Sequence, residues 1–253
     1  MAGAAIITGA SSGIGRALAI ELARSGRALG LTARRMDRLE DLRREIGGIV
    51  PIELRALDVR DTAAVGQVIP ELAAALGDVD LIVANAGIAG GRAVGTGHFA
   101  TDRDIIETNV LGAMATIDAA AALFRTAGRG HIVGISSVAG FRGLPGSAAY
   151  CASKAALSIY LESARVELHG LGILVTTISP GFIDTPINED LKTRPFVIKP
   201  EVGARKIAAL IESGTASSTV PKFPWGLYGV LMRFIPDALW TRLATLSPGT
   251  GQH

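Results

Sequence analysis

Thr8-Gly9-Ala10-Ser11-Ser12-Gly13-Ile14-Gly15 lies between a short apolar run, Ala4–Thr8, and a segment of helical periodicity, Ile14–Ser25, which ends at Gly26. Small residues in such a turn let the backbone approach a pyrophosphate. A helix N-terminus adds free N–H groups and the positive end of the helix dipole. The spacing is G-x-x-x-G-x-G rather than the common G-x-G-x-x-G. A glycine-rich turn alone is often only a tight turn. The strand before it and the helix after it supply the context that a dinucleotide site requires. Gly9, Ser11, Ser12, Gly13, Ile14 and Gly15 are therefore the candidate phosphate cradle.

Outward from this turn, strand-like and helix-like segments alternate. Ala28–Thr32, Ile52–Leu57, Leu81–Ala84, Ile132–Ser136 and Ile173–Ile178 read as strands. Met36–Ile46, Thr62–Leu76, Asp104–Phe124 and Ala148–His169 read as helices. This alternation predicts parallel strands joined by right-handed helical crossovers: an α/β fold with a doubly wound, mostly parallel sheet and helices on both faces. The strands are continuous apolar runs, as expected where helices cover both sides. After Pro180 the regularity fails. Glu201–Ser213 looks helical, and Trp225–Leu246 holds one or two short helices around Pro236. We read residues 1–253 as one domain, with 186–253 forming a cap over the sheet.

The chain has 253 residues, 49% of them hydrophobic, enough for a sizeable core. Glycine is high at 31 residues, without a collagen-like period, which fits many tight turns and close backbone approaches. The formal net charge is +2 with no basic run, which argues against a nucleic-acid partner. The single cysteine, Cys151, excludes an internal disulfide and a thiolate metal cluster and suits a reducing cytosol. His98, His131, His169 and His253 show no ligand spacing and read as surface or loop residues, so no metal site is expected. The start lacks the basic region and long apolar core of a signal peptide. Val110–Phe124 and Trp225–Ile235 are apolar but short for a membrane span.

The end of the second strand chooses between the two nicotinamide cofactors. A carboxylate there would bond a 2′-hydroxyl and repel a 2′-phosphate. The chain instead has Ala33-Arg34-Arg35, with no acid before Asp37. Two guanidinium groups suit a phosphate, so NADP(H) is favoured over NAD(H). The bland alternative is a solvated pair capping the next helix. Asp58, after the third strand, is a candidate acceptor for the adenine amino group, or an N-terminal helix cap.

Tyr150 and Lys154 stand four residues apart on one helix face. An ammonium beside a phenol favours the phenolate, so the pKa of Tyr150 is expected to fall from about 10 toward the working pH. A phenol so tuned can pass a proton to or from a substrate oxygen.

Taken together, Thr8–Gly15, Asp58, Asn85-Ala86-Gly87, Asn109, Ser136-Ser137, Tyr150/Lys154 and Pro180-Gly181 with Thr185 resemble the short-chain dehydrogenase/reductase family, in its compact single-domain branch with a Rossmann-type sheet. The resemblance covers about the first three quarters of the chain. It implies that Tyr150 is the general acid/base and that Lys154 is its electrostatic partner, also bonded to the nicotinamide ribose. It implies that Ser137 holds the substrate oxygen, the thirteen-residue gap to Tyr150 choosing it over Ser136. Asn109 resembles the asparagine that kinks a helix and keeps a water in a proton relay behind the lysine. Asn85, Ala86 and Gly87 resemble the turn that supports the sheet beside the cofactor. Pro180, Gly181 and Thr185 resemble the segment that seats the carboxamide. Asn109 in an apolar helix could instead only bond backbone, and Thr185 could merely cap the next segment. Ser12 stands where NADP-dependent relatives often carry a basic residue, so the NADP(H) reading rests on Arg34 and Arg35.

The implied activity is carbonyl–alcohol interconversion by hydride transfer, with Tyr150 delivering the proton during reduction. Val138–Ala149 is apolar apart from Arg142 and Ser147, and the cap adds Phe196, Phe223, Trp225, Leu227, Tyr228 and Phe234. These point to an apolar ketone or aldehyde, with ordinary packing as the alternative role for the aromatics. Membrane contact through Lys222, Arg233 and Arg242 is the weaker option. Asp104–Phe124 and Ala148–His169 carry apolar residues on more than one face, and in relatives such helices form a subunit interface, so a dimer or tetramer is expected. Two other readings stand beside this one. One is an epimerase or dehydratase with tightly held cofactor; the other is a non-enzymatic NADP(H)-binding regulator.

Overall fold

A computed structural model describes residues 3–246 apart from 190 and 192. Seven strands form one sheet: β1 (Ala4–Thr8), β2 (Leu29–Ala33), β3 (Ile52–Ala56), β4 (Val79–Ala84), β5 (Gly130–Ile135), β6 (Ile173–Pro180) and β7 (Ser217–Val220). Their spatial order is β3-β2-β1-β4-β5-β6-β7, and every pair is parallel. The chain winds outward from β1 to β3, returns to the centre and winds the other way from β4. The order therefore reverses between β1 and β4. Ligands of such sheets sit at the carboxyl ends of the strands flanking that reversal.

Burial on both faces explains the continuous apolar strands. Ile6, Ile82 and Ile132 pack on one face against Leu72, Ile117, Phe124 and Leu161, which belong to α3 (Thr62–Leu76), α5 (Ala113–Ala127) and α6 (Ala148–Leu168). Their chain neighbours Ile7, Val83 and Val133 pack on the other face. There they meet Leu18 of α1 (Gly13–Arg24), Leu39 of α2 (Met36–Ile46) and Ile207 of α7 (Pro200–Glu212).

Two elements depart from the sequence reading. The long helix begins earlier: α4 (Phe99–Ile106) passes through a π-helical stretch, Glu107–Gly112, into α5. This run is long and apolar enough by composition to cross a membrane, yet Ile105, Ile117, Ala120 and Phe124 are buried in the protein. Strand β7 is not expected from sequence, because Ser217-Ser218-Thr219-Val220 lacks an apolar run. Pairing along the edge of β6, at Thr177↔Ser217 and Ser179↔Thr219, makes it a strand. The C-terminal segment forms α8 (Trp225–Phe234) and α9 (Asp237–Leu246), divided at Pro236 as expected.

The expectation for the histidines fails at one position. His98 and His169 are exposed and His253 lies outside the described residues, but His131 is a buried residue of β5. It is only 9% exposed. Thr176 donates its hydroxyl to Thr215 O (2.6 Å), so it accepts from His131 Nε2–H (2.8 Å). Burial favours the neutral imidazole. Burial lowers its pKa from 6.5 to about 4, Arg27 adds to the fall, and Asp80 opposes it. An unfolded chain would take up this proton near pH 6.5 and the folded one only near 4. Stability from this site is therefore fully present above pH 6.5 and is lost as the pH falls toward 4. Thermal melting is expected to show a Tm that declines across this window. His131→Gln should flatten the decline between pH 6.5 and 5; an unchanged slope would refute the assignment.

Candidate active site

The glycine turn is built by close contacts between β1, α1 and the end of β4. Gly9 and Gly13 have φ of +69° and +58°, in the left-handed region that favours glycine. A Cβ on Gly15 would stand 2.4 Å from Asn85 Nδ2 and 2.7 Å from Gly9 O, so no other residue fits without displacing the turn. Asn85 Nδ2 donates to Thr8 O (2.9 Å) and Gly9 O (3.2 Å). Thr8 Oγ1 accepts from the backbone N–H groups of Asn85 (3.1 Å) and Ala86 (3.2 Å). The turn Asn85-Ala86-Gly87 therefore locks the cradle to the sheet. At the start of α1, Ser12 makes no side-chain cap bond and no acidic residue occupies the first turn. Among the described residues no side chain caps that end in place of an anion, and the residues present fit a pyrophosphate.

Arg35 extends the cradle. Its guanidinium donates to Ser11 Oγ (3.3 Å) and Ser12 Oγ (3.2 Å), which places the cation across the cradle serines. It occupies the N-cap position of α2 but makes no side-chain cap bond. Arg34 is exposed, and its charge helps lower the pKa of Asp58. Asp58 is held mainly by Arg60, through Nε to both carboxylate oxygens (3.1 and 3.0 Å) and a third bond of 2.6 Å. Those bonds, against a partial opposing effect of burial, keep the carboxyl below its ordinary range. The helix-cap alternative for Asp58 is wrong: Asp61 caps α3, accepting from Ala64 N (3.0 Å).

The structure brings Asn109, Ser137, Tyr150 and Lys154 together at the carboxyl ends of β4 and β5. Lys154 Nζ donates to Ile135 O (2.9 Å) and lies 5.8 Å from the centre of the Tyr150 ring. It is also 3.4 Å from where a Cβ on Gly87 would stand. Ser137 caps a short 3₁₀ turn, accepting from Ala139 N (3.1 Å), and its hydroxyl acts on the Tyr150 phenol to lower its pKa. Ser136 instead donates to Lys154 O (2.9 Å) and pairs with Ser158 (2.7 Å), which fixes α6 to β5. Asn109 sits in the π-helical stretch. Its Oδ1 accepts from Ile88 N (2.8 Å), and its Nδ2 donates to Ile88 O (2.9 Å) and Ser153 Oγ (3.0 Å). Ser153 in turn donates to Tyr150 O (2.8 Å). This link between Asn109 and the tyrosine was missed in the sequence; the hydroxyl beside Lys154 was its only signal.

One electrostatic expectation is corrected. Burial is the largest influence on Tyr150 and raises its pKa above 10, against the opposing pull of Ser137. Burial also lowers Lys154 to about 8. Low dielectric penalises phenolate and ammonium alike, and the ammonium is anchored on the Ile135 carbonyl. In the protein alone the phenol is therefore protonated at neutral pH. The Cys151 thiol is likewise pushed up by burial, consistent with a packing role.

The segment after β6 closes the other side. Gly181 N donates to Val220 O (3.0 Å), and Trp225 Nε1 would lie 2.1 Å from a Cβ on Gly181. Thr185 is buried, donates to Ile183 O (3.1 Å), makes no cap bond, and lies 3.5 Å from the Cβ position of Gly13. It therefore adjoins the cradle and does not cap the next turn. The C-terminal helices grip the stretch between Ser137 and Tyr150. Arg142 donates to Met232 O (3.1 Å), pairs with Asp237 and lies over the Trp240 ring, while Trp240 Nε1 donates to Gly143 O (3.0 Å).

The model of the short chain dehydrogenase family matches residues 3–195. The chain belongs to the short chain dehydrogenase family. It is 38% identical over 243 residues to an uncharacterized oxidoreductase of Mycobacterium tuberculosis, covering 94% of this chain and 96% of that protein. Its structure is similar to that of an NAD-bound short chain dehydrogenase from Mycobacterium paratuberculosis, with a TM-score of 0.78, 28% identity, and 87% and 96% of the two chains covered. An alcohol dehydrogenase from the archaeon Thermococcus sibiricus, complexed with 5-hydroxy-NADP, gives a TM-score of 0.77 at 27% identity, covering 86% and 96%. This short chain dehydrogenase is accordingly an oxidoreductase of the dehydrogenase/reductase class. In the cofactor-free protein, NMR of ¹³C-labelled lysines should reveal one amine titrating near pH 8 that Lys154→Met removes. A Lys154 resonance titrating above pH 10 would contradict the burial argument.

Proposed function

We propose that the protein interconverts a carbonyl and an alcohol with NADP(H), acting on an apolar ketone or aldehyde. The observation that supports this most is the position of the Lys154 amine, beside both the Tyr150 ring and the Gly87 turn that seats the phosphate cradle. The cofactor would be held by Gly9, Ser11, Ser12, Gly13, Ile14 and Gly15 at its phosphates, and by Arg34 and Arg35 at a 2′-phosphate. Asp58 would meet the adenine, Asn85, Ala86, Gly87, Tyr150 and Lys154 the ribose side, and Pro180, Gly181 and Thr185 the carboxamide. When bound, the nicotinamide supplies or takes up hydride.

The side chains do the rest. Ser137 donates a hydrogen bond to the substrate oxygen and stabilises the negative charge that develops there. Tyr150 holds its proton at neutral pH because it is buried, and gives it to that oxygen during reduction. The Lys154 ammonium favours the phenolate left behind. Asn109 is a positioning residue, holding the backbone of Ile88 and, through Ser153, the start of α6.

Substrate polarity follows from a charge that is already used. Arg142 is the only charged residue in Val138–Ala149, and Asp237 and the Met232 carbonyl occupy it. Phe182, Phe196 and Tyr228 surround Trp225 edge-on, with ring centres 5.5 to 6.2 Å apart. We read these residues, with the rest of 186–253, as an apolar substrate cap. Exposed Leu111, Ile159 and Val166 on the long helices support a homodimer or homotetramer. The lone free thiol, Cys151, supports a cytoplasmic setting.

Tyr150→Phe should lower turnover of apolar carbonyls by about 100-fold or more at saturating cofactor; a loss below about tenfold would remove the acid/base assignment. Arg35→Ala should weaken NADPH binding by about tenfold or more and leave NADH within about twofold. Wild-type protein that binds NADH as tightly as NADPH would overturn the cofactor preference.

A further inference from the structure

A second cleft, of about 320 Å³, opens where β6 and β7 meet α8. Its wall carries Ser179, Ser217, Ser218, Thr219 and Lys222 on one side, with Phe141 and Val230 on the other. None of the residues assigned above to cofactor or proton transfer lines it. In register, Ser179 pairs with Thr219, so two hydroxyl-bearing residues stand on the same face of neighbouring strands.

The hydrogen bonds around the cleft leave some donors free. Thr219 Oγ1 donates to Lys222 O (3.2 Å) and Ser218 Oγ donates to Thr219 O (3.2 Å), so both protons are committed. Ser179 is only 3% exposed, yet among the described residues its hydroxyl has no partner. Its oxygen is not sealed in the interior, unlike the buried orphan atoms Thr32 Oγ1 and Trp225 Nε1. The hydroxyl therefore faces the cleft. Ser217 is exposed and likewise unbonded, and Lys222 pairs with no carboxylate among the described residues. A nearly buried orphan hydroxyl lacks a partner that polar groups in such positions normally find.

We infer that this cleft binds a small organic oxyanion, a carboxylate or phosphate group on a short apolar stem. Ser179 and Ser217 donate to the oxygens, Lys222 supplies the cation, and Phe141 and Val230 pack against the stem. The volume suits a ligand at the small end of ordinary sites. Phe141 belongs to the 3₁₀ turn that Ser137 caps, and Gly229 of α8 packs against its ring, so occupancy stiffens the turn behind Ser137.

Binding is tested without turnover, so the result is independent of the hydride-transfer reading. Sodium butyrate and inorganic phosphate are titrated separately into full-length protein, and amide shifts of Ser217–Lys222 are followed by ¹H–¹⁵N NMR. Saturable shifts are expected, weakened by about tenfold or more in Lys222→Gln and severalfold in Ser179→Ala, and abolished in Val230→Glu, which puts a like charge in the cleft. Butyrate binding more tightly than acetate supports the stem contact; tight phosphate with weak butyrate identifies a phosphoryl headgroup. Equal affinity in all variants with unchanged melting temperature, or no saturation by either probe, overturns the site. So does a solution oligomer in which a second copy covers β7 and excludes both anions.

Discussion

The site depends on one steric constraint: α1 must begin close against the end of β4. Gly15 allows it, because a Cβ there would overlap the Asn85 amide and the Gly9 carbonyl. Asn85 then uses its amide to hold the Thr8 and Gly9 carbonyls, and Thr8 returns its hydroxyl to the Asn85 and Ala86 backbone. The strands joined this way, β1 and β4, are those where the sheet reverses its winding. The same few atoms thus form the anion cradle, close the crevice floor and set where Gly87 stands. Gly87 in turn lies against Asn109 and Lys154, so the cradle and the ionisable cluster share one rigid turn.

Around that turn, burial governs the charges. Lys154 is a buried cation with a carbonyl and, among the described residues, no carboxylate as its partner. Desolvation makes its ammonium easier to deprotonate and makes the Tyr150 phenol harder to ionise. The expectation of a lowered phenol considered only the Coulomb attraction between the two groups. In the interior the self-energy of each ion is the larger effect, and it acts oppositely on the phenol. The pair favours a neutral phenol, the form suited to donating a proton.

Much of this was legible in the sequence because the signals are local. The glycine turn, the Tyr150–Lys154 spacing and the apolar strands each follow from short-range geometry. Ser137 was preferred to Ser136 only through the gap to Tyr150 that the family resemblance implies, and the structure gives the two serines different partners. What escaped depends on contacts across the sheet. β7 has no apolar run and exists as a strand through pairing with β6. His131 looked like a surface residue because one histidine in sequence carries no signal of being buried in a central strand and bonded to Thr176. Ser153 bonds Asn109 across forty-four positions of chain and passes the link to Tyr150, a connection no local pattern reports.

The C-terminal segment shows how an irregular stretch can still be placed with precision. Phe141, Arg142 and Gly143 lie on the stretch between Ser137 and Tyr150, and each has a partner in α8 or α9: Gly229, then Met232 with Asp237, then Trp240. Three consecutive anchors fix the stretch more firmly than one ion pair at a partly exposed position could. Trp225 is held by its aromatic neighbours instead. Its Nε1 is buried without a hydrogen-bond acceptor among the described residues, and a donor so left costs roughly 1–3 kcal/mol. Ring burial and edge-on contacts with Phe182, Phe196 and Tyr228 must offset that cost. Packing on the Gly181 side is therefore decided by shape, while packing on the Arg142 side is decided by polar anchors. The cap is fastened differently at its two ends, and the polar end lies beside the Ser137 turn.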